Sequence, residues 1–367
     1  MPSPRLAFVV PGGLDRQSGG YQYDRYLRDG LIDRGWTVDV ISVPHGGYHR
    51  RVASAFDRSL REELTGGDYD LILQDALAHP TLWLLNRRIR RVSDPPIVAL
   101  VHLVRQCDPT STDRLGIGRR YEQSYFTSVD AYVCTSRATR EAVGAFTDPF
   151  PSIVAYPGRR DRQRPRAQPR PTNGPLTIGF IGHITPIKGL DVLIDALSQV
   201  THPVQLTVIG SRNRDASHVA DVDRLIHHHG LADRVTFTGA LAKGEVERQI
   251  SRFDLVVVPS RYEGFGMAYL EAMGHGVPPV GTTAGGASEL ITDGRTGFLV
   301  PPEDPDRLAA VIEHASKNRA ACSAIGEAAR RRARHHLSWA MTIGAIDRFL
   351  RQLVVTSPRR SPDRGPR

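Results

Sequence analysis

The sequence predicts an α/β protein of two doubly wound domains, and three features of its 367 residues carry that expectation. Short apolar runs of strand character alternate with helically spaced segments through both halves of the chain, the pattern of βαβ units on a parallel sheet. A Pro- and Arg-rich stretch from Pro157 to Pro175, without apolar periodicity, separates two such series. An amphipathic segment, Trp339–Leu353, follows the second series.

In the first series, Arg5–Pro11 is an apolar strand, Tyr21–Arg34 has helical spacing, and Thr37–Val43 is again a strand. Further apolar runs follow at Asp70–Gln74, Ile97–Leu103, Ala131–Thr135 and Ile153–Tyr156. The second series has strands at Leu176–Ile181, Gln205–Ile209, Val235–Thr238, Leu255–Pro259, Pro279–Thr282 and Gly297–Val300. Right-handed crossovers put helices on both faces of such sheets, and ligands gather outside the carboxyl ends of the strands. The expected domains are 1–165 completed by a crossing helix at 338–355, then 172–337, with a basic tail at 356–367. A cleft is expected between them.

Composition excludes several classes. With 40% hydrophobic and 24% charged residues the chain has the content of a soluble globular protein. No apolar run approaches a membrane span, and the N-terminus lacks the apolar core of a signal peptide. Three scattered cysteines make neither a disulfide framework nor a CxxC metal site, so the cytosol is the expected compartment. The formal charge of +9 is local: residues 159–170 carry +5 and residues 357–367 carry +3. Both stretches are rich in proline, so they read as a linker and a tail rather than a nucleic-acid surface.

The most informative segment runs from Pro259 to Met273. A buried strand ends, Glu263 is followed by Gly264-Phe265-Gly266-Met267, and a helix carrying Glu271 begins near Gly266. Glycines let a ligand approach backbone amides, and a helix N-terminus favours phosphate. A carboxylate accepts only, which suits sugar hydroxyls. These residues resemble the E-x7-E motif of family 4 glycosyltransferases, enzymes of the two-domain GT-B fold. The segment Gly179-Phe-Ile-Gly182-His183 through Lys188-Gly189 resembles that family's glycine–arginine…lysine–glycine stretch. Val208-Ile-Gly, Val235-Thr-Phe-Thr-Gly, Gly285-Gly-Ala-Ser-Glu289 and Gly297-Phe-Leu-Val-Pro match later landmarks in order.

The resemblance implies a metal-independent, retaining hexosyltransferase without a cofactor, using a nucleoside-diphosphate sugar as donor. Glu271 would hold the ribose, Glu263 the transferred sugar, and residues 264–267 the sugar and diphosphate through amides. Lys188 would neutralise charge building on the leaving group. His183 stands where the family usually has Arg, which leaves Lys188 to act with a protonated His183 or with a substitute such as Arg212. Residues near Gly239-Ala240-Leu241 are candidate base contacts. In the first domain Ser18-Gly19-Gly20, ahead of the first long helix, resembles the family's glycine loop. His102, at the end of its strand, matches a histidine that meets the donor sugar.

Two metal-like patterns are set aside. His227-His228-His229 point in different directions on a helix, and Asp68-Tyr69-Asp70 precedes its strand as turn residues, so no metal is expected. The acceptor, whether glycan, lipid or small molecule, is not written in the sequence. Trp83–Arg91 is basic and amphipathic, a candidate for peripheral membrane contact whose plainer reading is one core face and one solvated face. Nucleotide-sugar 2-epimerases and a non-turnover binding protein share the architecture as alternatives.

Overall fold

The computed structural model describes residues 3–16, 18–93, 95–111, 113, 116–148, 150–160 and 174–356. Most of the linker, 161–173, and the tail from 357 onward lie outside the described residues. The chain divides into two compact units, one of residues 1–107, 111–158 and 339–367, the other of residues 108–110 and 159–338.

The first unit runs β1 (Arg5–Pro11), α1 (Gly19–Ile32), β2 (Thr37–Val43), α2 (Tyr48–Ala53), α3 (Arg58–Gly66), β3 (Leu71–Asp75), α4 (His79–Ile89), β4 (Ile97–Val101), α5 (Ile117–Phe126), β5 (Ala131–Cys134), α6 (Arg137–Gly144) and β6 (Ser152–Val154). Its six strands form one parallel sheet in the order β2-β1-β3-β4-β5-β6. The order reverses between β1 and β3, which opens a crevice at their carboxyl ends. β1 and β4 are apolar and buried almost throughout, as strands covered on both faces must be, and β3 is buried throughout but ends in Gln74 and Asp75. The turn at Asp68–Asp70 sits at the opposite edge, where Asp70 Oδ2 accepts the Arg5 amide at 2.9 Å.

The second unit runs β7 (Leu176–Ile181), α7 (Leu190–Gln199), β8 (Val204–Ile209), α8 (Ala216–His228), β9 (Val235–Gly239), α9 (Lys243–Ile250), β10 (Leu255–Val257), α10 (Met267–His275), β11 (Pro279–Thr282), α11 (Ala287–Leu290), β12 (Phe298–Val300), α12 (Pro305–Lys317) and α13 (Arg319–Arg334). The sheet is again parallel, in the order β12-β11-β10-β7-β8-β9, with its reversal between β7 and β10. In the triple histidine, His227 and His228 are exposed while His229 Nε2 meets Asp195 Oδ1 at 2.9 Å, so the three do not converge.

The final helix, α14 (Trp339–Thr356), belongs to the first unit although it follows the second in sequence. Trp339 stacks on Tyr26 at 4.4 Å between ring centroids and meets Tyr23 edge-on at 5.2 Å. A Cβ at Gly30 would lie 2.5 Å from Ile343, so the absence of a side chain there lets α1 and α14 close. Trp36 Nε1 donates to Asp347 at 2.7 Å and the Thr342 hydroxyl to the Tyr156 carbonyl at 2.9 Å.

α4 has the core face expected of 83–91: Leu82, Leu85 and Ile89 are fully buried. Arg90 pairs with Asp130 at 2.7 Å, and Arg88 lies over Phe56 at 4.9 Å. No helix among the described residues is long and apolar enough to cross a membrane. Because Trp339 is buried against two tyrosines, W339A should cost the first unit about 3 kcal/mol, seen as a lower urea midpoint.

Candidate active site

In the second unit the site grows from two loops that flank the sheet reversal. The loop after β7 carries Gly182, His183 and a 3-10 turn, Pro186–Lys188, closed by Gly189 in the left-handed region at φ 67°. A Cβ on Gly189 would lie 2.1 Å from the Pro259 carbonyl oxygen, so glycine is required for the two loops to meet. The loop after β10 carries Ser260, Arg261 and Glu263 and leads into α10. Lys188 Nζ donates to Glu263 Oε2 at 2.7 Å, and the Ser260 hydroxyl donates to the same oxygen at 3.1 Å. The structure therefore brings together Lys188 and Glu263, which are 75 residues apart.

Three residues not singled out as donor ligands hold this arrangement. Arg261 takes Asp191 with two nitrogens at 3.0 and 2.6 Å, bonds Glu303 at 3.0 Å, and reaches the Pro186 carbonyl at 2.5 Å, tying the loops side to side. The carboxylate of Asp191 raises its already high pKa further. Gly285 and Gly286 form the floor: their Cβ atoms would stand 2.1 Å from the Glu263 carbonyl oxygen and 2.4 Å from that of Gly264. The Gly286 amide instead donates to the Glu263 carbonyl at 2.8 Å.

Gly266, at φ 97°, starts α10 without a side-chain cap, leaving Met267 and its neighbours at an open helix N-terminus. Phe265 is buried and faces His336 at 5.7 Å. Glu271, within α10, is held by Arg160 at 2.8 Å, and Arg160 also pairs with Glu247. Gly182 and His183 lie against Gly210, whose Cβ would meet the Gly182 carbonyl at 1.8 Å. Arg212, the candidate substitute for the absent arginine, is committed elsewhere: it pairs with Asp223 at 2.5 Å and lies over Phe237 at 4.4 Å. Leu241 is half-buried in the turn between β9 and α9.

In the first unit Gly19 and Gly20 form the opening turn of α1 rather than a loop ahead of it, because Ser18 Oγ caps the helix at the Tyr21 amide, 3.4 Å away. A Cβ on Gly20 would touch the His102 ring at 3.4 Å, so the glycine turn and the histidine lie against each other. His102 lies one residue past β4, its Nε2 2.8 Å from Asp24 Oδ1. Asp24 is fully buried, and its Oδ2 has no hydrogen-bond partner. Asp24, Asp75 and His102 present ligand-type atoms within 4.8 Å of one another, close enough to share a cation, though the direct contact makes Asp24 and His102 a hydrogen-bonded pair. Asp24 and Asp75 left no mark in the sequence beyond acids in a helix and at a strand end.

Burial alone would lower the His102 pKa; the charge and hydrogen bond of Asp24, with Asp75 behind, raise it instead. Burial and the Asp24 charge push Asp75 up to about 7.

A fold of two such units, each with its ligand edge at a strand reversal, defines a GT-B-type glycosyltransferase. The family model described as "Glycosyltransferase Family 4" matches residues 18–159, and that described as "Glycosyl transferases group 1" matches residues 161–332. The chain belongs to this glycosyltransferase family. It is 36% identical over 137 residues to an alpha-D-kanosaminyltransferase of Streptomyces kanamyceticus, covering 36% of this chain and 34% of that protein. It is 31% identical over 221 residues to a D-inositol 3-phosphate glycosyltransferase of Mycobacterium marinum, covering 58% of this chain and 46% of the other. The match thus spans about half or less of these curated relatives. Among solved structures, sucrose-phosphate synthase from Thermosynechococcus elongatus superposes with a TM-score of 0.82 at 21% identity, covering 96% of this chain and all of that one. Anabaena HepE, in complex with UDP and glucose, gives 0.74 at 21% identity over 95% of this chain and all of the other. The relatives named here are glycosyltransferases and a synthase, not epimerases.

A histidine whose pKa is raised on folding adds stability that is complete below its unfolded value and fades as pH rises through the folded one. Replacing Asp24 by Asn should therefore lower the His102 titration, read from its imidazole resonances by NMR. The same variant should flatten the loss of first-unit stability as pH rises through the native titration.

Proposed function

We propose that this chain transfers a hexosyl group from a nucleoside-diphosphate sugar to an acceptor hydroxyl with retention at the anomeric carbon. The observation that carries the reading is the 2.7 Å pair of Lys188 and Glu263 beside the uncapped start of α10, at the reversal of the second sheet. The diphosphate would take the amides of 264–267 and the ammonium of Lys188, which has three donors and can serve phosphate without abandoning Glu263. Glu263 would then accept a sugar hydroxyl, and Glu271, oriented by Arg160, the ribose hydroxyls. Leu241 would lie near the base.

Charge grows on the leaving diphosphate as the glycosidic bond breaks, and Lys188 with the helix N-terminus would stabilise it. No carboxylate is assigned as a nucleophile; the family resemblance implies attack from the leaving-group face, the departing phosphate accepting the acceptor proton. With Arg212 engaged by Asp223, the remaining leaving-group contact would fall to His183. In the first unit, Gly19, Gly20 and His102 would meet the donor phosphates and sugar, and a protonated His102 would donate a hydrogen bond. The named relatives support a nucleotide-sugar donor: one solved neighbour holds UDP and glucose, and a Mycobacterium tuberculosis relative is a GDP-mannose-dependent mannosyltransferase.

K188A and E263A should each lower turnover by about a hundredfold or more while circular dichroism stays unchanged. Near-normal turnover in either would overturn the mechanism. A panel of nucleotide sugars read by thermal shift should raise the melting temperature only for the cognate donor.

A further inference from the structure

A second group of charges lies at the carboxyl edge of the first sheet. Tyr48 opens α2 in the connection after β2, Arg51 follows one turn later, and Arg105 opens a 3-10 turn after β4. The Arg51 guanidinium lies 5.6 Å from the centre of the Tyr48 ring and that of Arg105 5.4 Å from the same centre. Two cations thus share one ring. Among the described residues neither makes an ion pair. Arg51 donates one nitrogen to the Leu77 carbonyl at 3.0 Å, while its Nε and the Tyr48 hydroxyl are buried without partners.

The acids nearby are already committed to backbone amides. Glu122, 3% exposed, accepts those of Arg105 at 2.7 Å and Gln106 at 3.1 Å. Asp113 accepts the Arg119 amide at 2.9 Å, and Asp75 accepts that of Leu77 at 2.9 Å. Burial, and then the neighbouring charge of Arg105, loosens the hold of Arg51 on its own proton. Two like charges packed on one ring, the half-buried Arg51 and the exposed Arg105, with no carboxylate among the described residues paired to either, favour an anion between them. Asp75 lies within electrostatic reach of both Arg51 and His102, so the two sites are neighbours on one edge.

We propose that Arg51, Arg105 and the Tyr48 hydroxyl form a subsite for a phosphate group carried by the acceptor. The inference rests on reading the first unit as the acceptor side. A phosphate has enough oxygens to meet two guanidinium groups and a hydroxyl at once, and arginine is suited to that geometry. The phosphate anchors the acceptor and leaves its hydroxyl free toward His102.

The test is calorimetric titration of sn-glycerol 1-phosphate and inorganic phosphate into the full chain, with a nucleoside diphosphate saturating the second unit. A parallel arm sediments the protein with phosphatidylglycerol or phosphatidylcholine vesicles. Binding of the free phosphates that weakens about tenfold in R105Q and R51Q supports the subsite with a soluble acceptor. Binding confined to phosphatidylglycerol vesicles, lost in the same variants, supports it with a lipid acceptor. Equal binding by the native protein and R105Q in both arms, or none in either, overturns it. R105Q alters an exposed side chain, so it decides the matter if R51Q does not fold. Nucleoside diphosphate binding tests the donor reading separately: heat from nucleotide, with binding to neither the free phosphates nor the vesicles, sinks only the subsite.

Discussion

The second unit depends on backbone meeting backbone with nothing between. At Gly189, Gly285 and Gly286 a single added carbon would fall 2.1 to 2.4 Å from a carbonyl oxygen of the loop that carries Glu263. These contacts are too close for any side chain to yield locally, so substitution there must displace the loop itself. The Lys188–Glu263 pair is a consequence. Its two members come from strands on either side of the sheet reversal, and only glycine lets their loops touch.

That constraint explains why so much was legible in the sequence. A glycine forced by close approach stands out in a motif, and the spacing of Lys188-Gly189, Glu263-Gly264 and Gly285-Gly286 encodes the contact. The strands were legible for a related reason: buried on both faces, they are continuous apolar runs, and Arg5–Pro11, Leu176–Ile181 and Pro279–Thr282 have the predicted bounds. Leu255–Pro259 ended early, at Val257, because the chain turns there, with the Ser260 amide donating back to the Val258 carbonyl.

What stayed hidden is what long-range packing creates. Asp24 reads as a surface acid on a helix until α1 is laid over the sheet, where it becomes a fully buried carboxylate bonded to His102. Arg160 reads as part of a basic linker until it is found between Glu247 and Glu271. Arg261 likewise looks like a loop charge and proves to be the clasp between two loops. In each case the partner is distant in sequence, and no local periodicity announces it. The two buried acids beside His102 also show that a histidine at a strand end can be tuned by groups outside its own motif.

The placement of α14 has a consequence for synthesis. Tyr23, Tyr26 and Trp36 belong to the beginning of the chain, yet the helix that covers them follows the whole second unit. On the ribosome the first unit therefore waits, with that aromatic surface bare, while some 180 later residues emerge and close their own core. The half begun first is finished second, and a nascent chain arrested before Trp339 would present a sticky aromatic face to whatever chaperone attends it.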